Sequence, residues 1–491
     1  MNSAEHTQSP ASAVPASAHP RQGAGRTNII SKTCTTAPST RKGHIGLIVV
    51  GSLATGLTAA MLLVLVAFAG AAEPVVTGSA MLGFGLGWAM LAALSVWRTD
   101  QPQRWALVPA GYFTIIGAAL MLFSPSGRAL SLLGWAWPPL LLALLAWTVA
   151  HARRHLRSRT RLFVVYPVLL ALALAAAGGA VETVSRSADG GRAAAGRMVD
   201  VGGHRLYLAC RGTGSPAVVL ENGLGEHTPS WAWIVKNVAP DTRVCVYDRA
   251  GQGWSESAAG PQDGVQVAAD LHTLLERAAV PGPYVLAGHS VGGTYALIFA
   301  ARYPRQVAGM VLLDSSTPRQ FTALPDYRAT YSTYRRLSAL LPPLARVGLL
   351  RLVTAGAFHG LPPQARSQEL ALSVTARGLS SQLAEWSELP AVFAQAQTLT
   401  GLHGKPLIVV TAGRGQQTGW PAAQDQLARL STNSLHRTVA GADHTALLYN
   451  EAMSANSSQA IRDVVSAIRT GTPQGLAPVK PPPATSGPGN R

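Results

Sequence analysis

Acidic residues are scarce in this chain, and charge of either sign is missing from long stretches of its first third. The 491 residues include 23 Asp and Glu against 40 Lys and Arg, a formal net charge of +17. Five runs, 45–70, 75–97, 105–123, 130–150 and 162–179, contain no Asp, Glu, Lys or Arg. Each is about long enough to cross a hydrocarbon core of roughly 30 Å at about 1.5 Å of rise per residue. Five in succession argue against buried helices of a soluble protein. The lack of an acidic or basic group within them argues against a transporter or proton relay, which usually needs one at membrane depth. The basic excess is concentrated early: residues 1–195 carry 15 Lys and Arg and 5 Asp and Glu. The later region has no basic stripe interleaved with aromatics, which argues against nucleic-acid binding. Cysteine is rarest of all, at three residues.

These features predict a membrane domain over 44–182, preceded by a disordered Ser/Thr/Pro/Ala-rich arm over 1–43. The first run follows more than 40 mostly polar residues and is too long for the apolar part of a cleavable signal peptide. Lys and Arg cluster before the first run and after the second and fourth; the loop after the first has none and the loop after the third only Arg128. By the positive-inside rule the N-terminus is cytoplasmic, and an odd number of spans puts everything after residue 179 outside. The Ala- and Arg-rich composition points to a bacterial cytoplasmic membrane. Gly83 and Gly87 form a G-x-x-x-G suited to a helix crossing, a pattern also expected by chance in a chain so rich in Gly and Ala.

From residue 196 to 470 short apolar strands alternate with helices, the pattern of a mostly parallel sheet covered on both faces. A hairpin is expected at 198–210 around Gly202-Gly203, and strands at 217–220, 243–247, 284–287, 307–313, 406–411 and 435–439. Helices are expected at 265–278, 291–303 and 457–469. Residues 315–404 interrupt this alternation with helical segments at 324–341, 344–355, 363–379 and 381–399, which reads as a lid. Its arginines, Arg328, Arg335, Arg336, Arg346 and Arg351, suit an anionic amphiphile or lipid head groups, although a solvated helix face is the commoner cause. A Pro/Gly-rich tail, 471–491, is expected to be disordered.

Gly288-His289-Ser290-Val291-Gly292 fits G-x-S-x-G between a strand and a helix. A strand turning straight into a helix forces the serine into a strained conformation, and glycines two before and two after let neighbouring backbone pass closely. Serine is a weak nucleophile and needs a base within hydrogen-bond reach. A serine merely capping an ordinary helix is the alternative.

With three further segments this motif resembles the α/β-hydrolase superfamily, in its lidded, esterase- or peptidase-like branch, over about 197–469. "LENGLG" (220–225) is similar to the oxyanion loop, "YDRAGQGWS" (247–255) to the D-R-x-G-x-G-x-S turn, and "AGADHTALL" (440–448) to the loop bearing the catalytic histidine. The resemblance implies Ser290 as nucleophile and His444 as base, in the chain order Ser, acid, His. His289 is adjacent to the serine and points away, so it is excluded. The acid position after the strand that follows the lid reads "TAGRGQQTGW", without Asp or Glu; the alternative position, after the strand before the lid, holds Asp314. Asp314 is the chosen acid, with Asp425 as runner-up and Asp443 disfavoured. Oxyanion donors are expected from the amides of Leu224 and Val291, although Asn222 stands where the family usually has His. Asp248 and Arg249 are read as structural, pinning a turn near the site. A serine at the elbow disfavours epoxide opening and halide displacement, which use an aspartate there. No cofactor or metal is expected.

In this fold the strands bearing Cys210 and Cys245 are neighbours. Outside the cytoplasm such a pair oxidises; two buried free thiols are the alternative. The function implied is a membrane-anchored serine hydrolase cleaving an ester, thioester or amide in a small-molecule or lipid-like substrate, with the bilayer as its other partner. A non-catalytic sensor or scaffold, or the accessory domain of a transport unit, are the competing readings.

Overall fold

The computed structural model describes residues 44–189, 196–354 and 356–471. Cys34, the N-terminal arm and all but the first residue of the tail lie outside them.

The apolar runs form helices α1 (Ile45–Leu62), α2 (Glu73–Arg98), α3 (Leu107–Phe123), α4 (Gly127–Leu133), α5 (Trp137–His155) and α6 (Tyr166–Asp189). Among the described residues four helices are long and apolar enough to cross a membrane, and a fifth is added if α4 and α5, bent by 48°, count as one. The bend has a local cause. Pro138 and Pro139 open α5, so they cannot donate backward into a continuous helix. The last span runs past the expected end at 179 and carries Glu182 and Arg186 with it. Small residues let α1, α2 and α3 touch at backbone distance. A Cβ on Gly83 would lie 2.5 Å from the Ala60 Cα, and one on Gly87 3.1 Å from the Gly56 Cα, so the G-x-x-x-G pair does seat a helix. Gly83→Val is expected to cost about 1–3 kcal/mol or more through overpacking, seen as a lower melting temperature of the detergent-solubilised chain.

The second region is an eight-stranded sheet in the order β1-β2-β4-β3-β5-β6-β7-β8. Its strands are β1 (Arg197–Asp200), β2 (Arg205–Arg211), β3 (Val218–Glu221), β4 (Val244–Tyr247), β5 (Tyr284–His289), β6 (Val307–Leu313), β7 (Leu407–Ala412) and β8 (Ser434–Val439). The β1–β2 and β2–β4 pairs are antiparallel and the rest parallel. Side chains alternate between two cores: Val219 and Leu286 join one, Val218, Leu220 and Val285 the other. Helices α7 (Ala232–Val238), α8 (Gly264–Arg277) and α9 (Val291–Arg302) cover the central strands. Cys210 and Cys245 stand opposite one another across β2 and β4 and are joined as a disulfide. Alkylation of the denatured protein is expected to label one cysteine without reductant and three with it, read by intact mass.

The lid leaves the sheet after β6. It comprises α10 (Gln320–Ala323), α11 (Tyr327–Ser338), α12 (Leu341–Arg346), α13 (Leu349–Val353), α14 (Pro363–Ser373) and α15 (Ala376–Ala396). The expected segment 344–355 is broken at Gly348, whose φ of +73° a helix cannot hold. The expected boundary near 380 falls instead at Thr375, whose hydroxyl accepts from the Gly378 amide and caps α15. After β7 come α16 (Trp420–Ala428), then, following β8, α17 (Ala446–Tyr449) and α18 (Glu451–Thr470).

Two lid arginines pair with carboxylates of the apolar helices. Arg346 pairs with Glu73 at the start of α2, and Arg351 with Glu182 of α6. Glu73 also accepts from the Ser380 hydroxyl at 3.0 Å.

Candidate active site

Strand β5 feeds α9 through a single residue, Ser290, with φ +54° and ψ −126°. A Cβ at Gly288 would lie 2.5 Å from the Gly293 amide nitrogen, and one at Gly292 2.7 Å from the Asn222 carbonyl oxygen. Both flanking positions therefore need glycine. The turn is pinned on both sides of Asp314: Ser290 N–H donates to the Leu313 carbonyl (3.1 Å), and Ser316 N–H to the Ser290 carbonyl (2.9 Å).

Asp314 directly follows β6, with φ +42°, and is buried. Its Oδ2 lies 2.6 Å from His444 Nδ1. Its Oδ1 accepts from the Ala412 amide (3.1 Å) and the Trp420 indole (2.8 Å). Burial pushes this carboxyl up, but the His444 hydrogen bond and charge, with the Trp420 and Ala412 donors, outweigh it and hold the group below the usual range. The segment that lacked an acid in the sequence thus supplies the indole that orients one. Asp425 lies elsewhere, exposed and paired with His436 (2.7 Å), and Asp443 accepts from Thr445 and the Ala446 amide. With Nδ1 engaged, His444 has Nε2 left for the serine. Among the described residues no hydrogen bond joins the two; in unliganded active sites this contact is often long and tightens around substrate.

Sequence reasoning passed over His289. Its ring is fully buried, 4.4 Å centroid to centroid from that of His444. His289 Nε2 donates to the His444 carbonyl (2.9 Å), and Nδ1 faces Glu226 Oε1 (2.5 Å). Burial disfavours charge on both partners, yet their mutual attraction wins: Glu226 is held below, and His289 above, its ordinary value. Nε2 faces a carbonyl, which can only accept, so that nitrogen carries a proton. Glu226 Oε2 also accepts from the Gly223 amide (2.6 Å). One buried ion pair therefore ties the glycine loop to the histidine loop.

The loop's other bonds explain Asn222. Its side chain donates to the Tyr247 carbonyl and accepts from the Trp231 indole, both at 2.7 Å. Arg249 draws the carbonyls of Asn222 (2.5 Å) and Gly223 (3.0 Å) inward and pairs with lid residue Glu385 (2.6 Å). Among the described backbone bonds, neither the Leu224 nor the Val291 amide donates. Asp248 holds the adjoining turn by accepting from the Thr228 amide and hydroxyl and from the Trp254 amide. Lid residue Glu369 reaches His227 at 2.8 Å, both buried.

Behind this loop Glu221 accepts from the Tyr247 hydroxyl (2.9 Å) and is pushed up to about 7, by burial first, against the opposing Arg249 charge. The folded state holds this proton more tightly than an unfolded carboxyl near 4.5 does, so the contribution to stability falls as pH rises between those values and is fully lost above about 7. Glu221→Gln is expected to stabilise the protein above pH 7, by up to roughly 3 kcal/mol, and to do little near pH 4.5. Thermal melts at pH 5 and pH 8 check the sign.

Residues 216–451 match the family model for the alpha/beta hydrolase fold. This domain belongs to the α/β-hydrolase superfamily. The hydrolase domain supports a hydrolase-type function, and the apolar helices before it mark a membrane protein. An uncharacterized protein of Schizosaccharomyces pombe is 27% identical over 304 residues, 55% of this chain and 56% of that protein. The probable transporter efuK of Hormonema carpetanum is 29% identical over 136 residues, 26% of this chain and 20% of that one. The chain thus spans little more than half, or less, of the length of these curated relatives. A thermophilic esterase from Thermogutta terrifontis is 21% identical with a TM-score of 0.42, over 56% of this chain and 99% of that structure.

Proposed function

We propose that the chain is a membrane-anchored serine hydrolase that cleaves an ester, thioester or amide through an acyl-enzyme. One observation carries the reading: the Asp314–His444 pair, 2.6 Å apart, stands beside the strained turn that presents Ser290. Ser290 Oγ attacks the substrate carbonyl carbon as His444 Nε2 takes the hydroxyl proton. The carbonyl electron pair moves to oxygen, where the Leu224 and Val291 amides receive it; one such donor is typically worth about 2.7–4 kcal/mol of barrier. Collapse of the intermediate expels the leaving group, which takes the proton from His444. Water then repeats the sequence on the acyl-enzyme. Asp314 stays ionised throughout, orienting the imidazole and stabilising its charged form.

The hydrolase domain is placed on the extracytoplasmic side. The basic clusters flanking the spans and the Cys210–Cys245 bond, which suits an oxidising compartment, support this. A fluorophosphonate probe tests the enzyme reading. Covalent labelling mapped to Ser290 is expected; an intact, folded chain that stays unlabelled favours a sensor or scaffold.

A further inference from the structure

Lid helix α13 places Leu349, Leu352 and Val353 on one face, at the i, i+3, i+4 spacing. That face is bare: the three side chains are 41%, 77% and 68% exposed. The other side is anchored. Leu350 is buried and Arg351 pairs with Glu182 of α6; just before the helix, Arg346 of α12 pairs with Glu73 of α2. The chain entering α13 lies on the backbone of α6: a Cβ at Gly179 would sit 3.0 Å from the Arg346 carbonyl oxygen, and one at Gly178 would strike the Val347 carbonyl.

The surface of α6 beside this contact is also apolar and open. Val181 and Val184 are 61% and 57% exposed, and the exposed Leu174 and Leu170 continue the surface down the span. Arg186, Arg351 and Arg377 line a cavity of about 290 Å³ at the junction of span and lid. Guanidinium groups at the end of a span sit at the level of lipid phosphates, with apolar side chains nearby reaching the acyl region. An apolar face fixed against a spanning helix, continuous with its lipid-facing surface and bordered by arginine, has the features of a membrane-embedded element.

We infer that α13 is seated in the bilayer, with Leu349, Leu352 and Val353 among the acyl chains of the leaflet next to the hydrolase domain. The same lid supplies Glu385 to Arg249 and Glu369 to His227, so its footing in lipid bears on the walls of the catalytic loop. Together with the serine-hydrolase reading, on which this step rests, it assigns the substrate to amphiphiles drawn from that leaflet.

The test uses the full chain with Cys34→Ser in phosphatidylcholine–phosphatidylglycerol vesicles. Leu352→Cys and Val353→Cys carry an environment-sensitive fluorophore, with Leu174→Cys as the lipid-facing reference and Ala455→Cys as the aqueous one. Blue-shifted emission, quenching by acyl-chain nitroxide lipids and protection from iodide are expected at 352 and 353, as at 174. Iodide quenching equal to that at 455 overturns the inference. In a second arm, Leu352→Glu with Val353→Glu is expected to lower hydrolysis of a long-chain ester in the vesicles about tenfold, with a soluble acetate ester unaffected. Equal rates of variant and wild type on both esters overturn the substrate assignment. If the wild type cleaves neither ester while fluorophosphonate still labels Ser290, the substrate assignment fails; if Ser290 also stays unlabelled, the hydrolase reading fails; in both cases the fluorescence still decides whether α13 lies in lipid.

Discussion

Ser290→Ala is expected to lower kcat by on the order of 10⁶-fold on any substrate the enzyme turns over, the loss seen when the nucleophile of such a triad is removed. Fluorophosphonate labelling should vanish with it. The fold should not: Ser290 is held by backbone bonds to Leu313 and Ser316, which alanine keeps. The strained φ of +54° is present with either side chain, so the melting temperature should change little. Steady-state kinetics beside a thermal melt separates the two effects. Turnover near wild type in a folded Ser290→Ala protein would falsify the enzyme reading.

The second large effect is expected from Asp314→Asn, at about 10⁴-fold in kcat. Its direction follows from the hydrogen-bond partners. Oδ1 of Asp314 faces two donors, the Ala412 amide and the Trp420 indole, so an asparagine would turn its carbonyl oxygen that way. Its NH₂ would then face His444 Nδ1, which would have to accept. The histidine proton would move to Nε2, where no lone pair is left for the serine hydroxyl. Asp425→Asn is the control. Asp425 is exposed and pairs with His436, so kcat should stay unchanged. Large loss in Asp425→Asn and none in Asp314→Asn would reverse the assignment.

Much of the architecture was legible because it is written in local pattern. A charge-free run of about 20 residues is a membrane signal wherever it occurs, and short apolar strands between helices announce a parallel sheet. The runs at 45–70 and 75–97 appear as α1 and α2, and each strand expected after residue 196 has its counterpart in the sheet. Boundaries failed where local chemistry competed with periodicity. Pro138 and Pro139 bent the fourth run, Gly348 broke one lid helix, and the Thr375 cap moved the start of another.

At the candidate site, motif and order pointed to Ser290, Asp314 and His444, and the structure joins Asp314 to His444. It gave no sign of Glu226 and His289 as a buried ion pair, of Trp420 as a donor to Asp314, or of Glu385 on Arg249. Glu226 and His289 are 63 positions apart, Asp314 and Trp420 106, and Arg249 and Glu385 136. No periodicity links residues at such separations. Each pairing exists because burial leaves a polar group no partner but the one the fold brings to it.

The amino-acid order by itself determined which segments suit lipid, where strands turn into helices, and which serine sits on a glycine-flanked elbow. These depend on side-chain chemistry within one or two turns of chain. Only the tertiary structure decided which groups hold Asp314, what Asn222 bonds to in the glycine loop, and that two lid arginines close on carboxylates at the span ends. Those outcomes depend on desolvation and hydrogen-bond satisfaction between distant segments, and these arise only once the chain has folded.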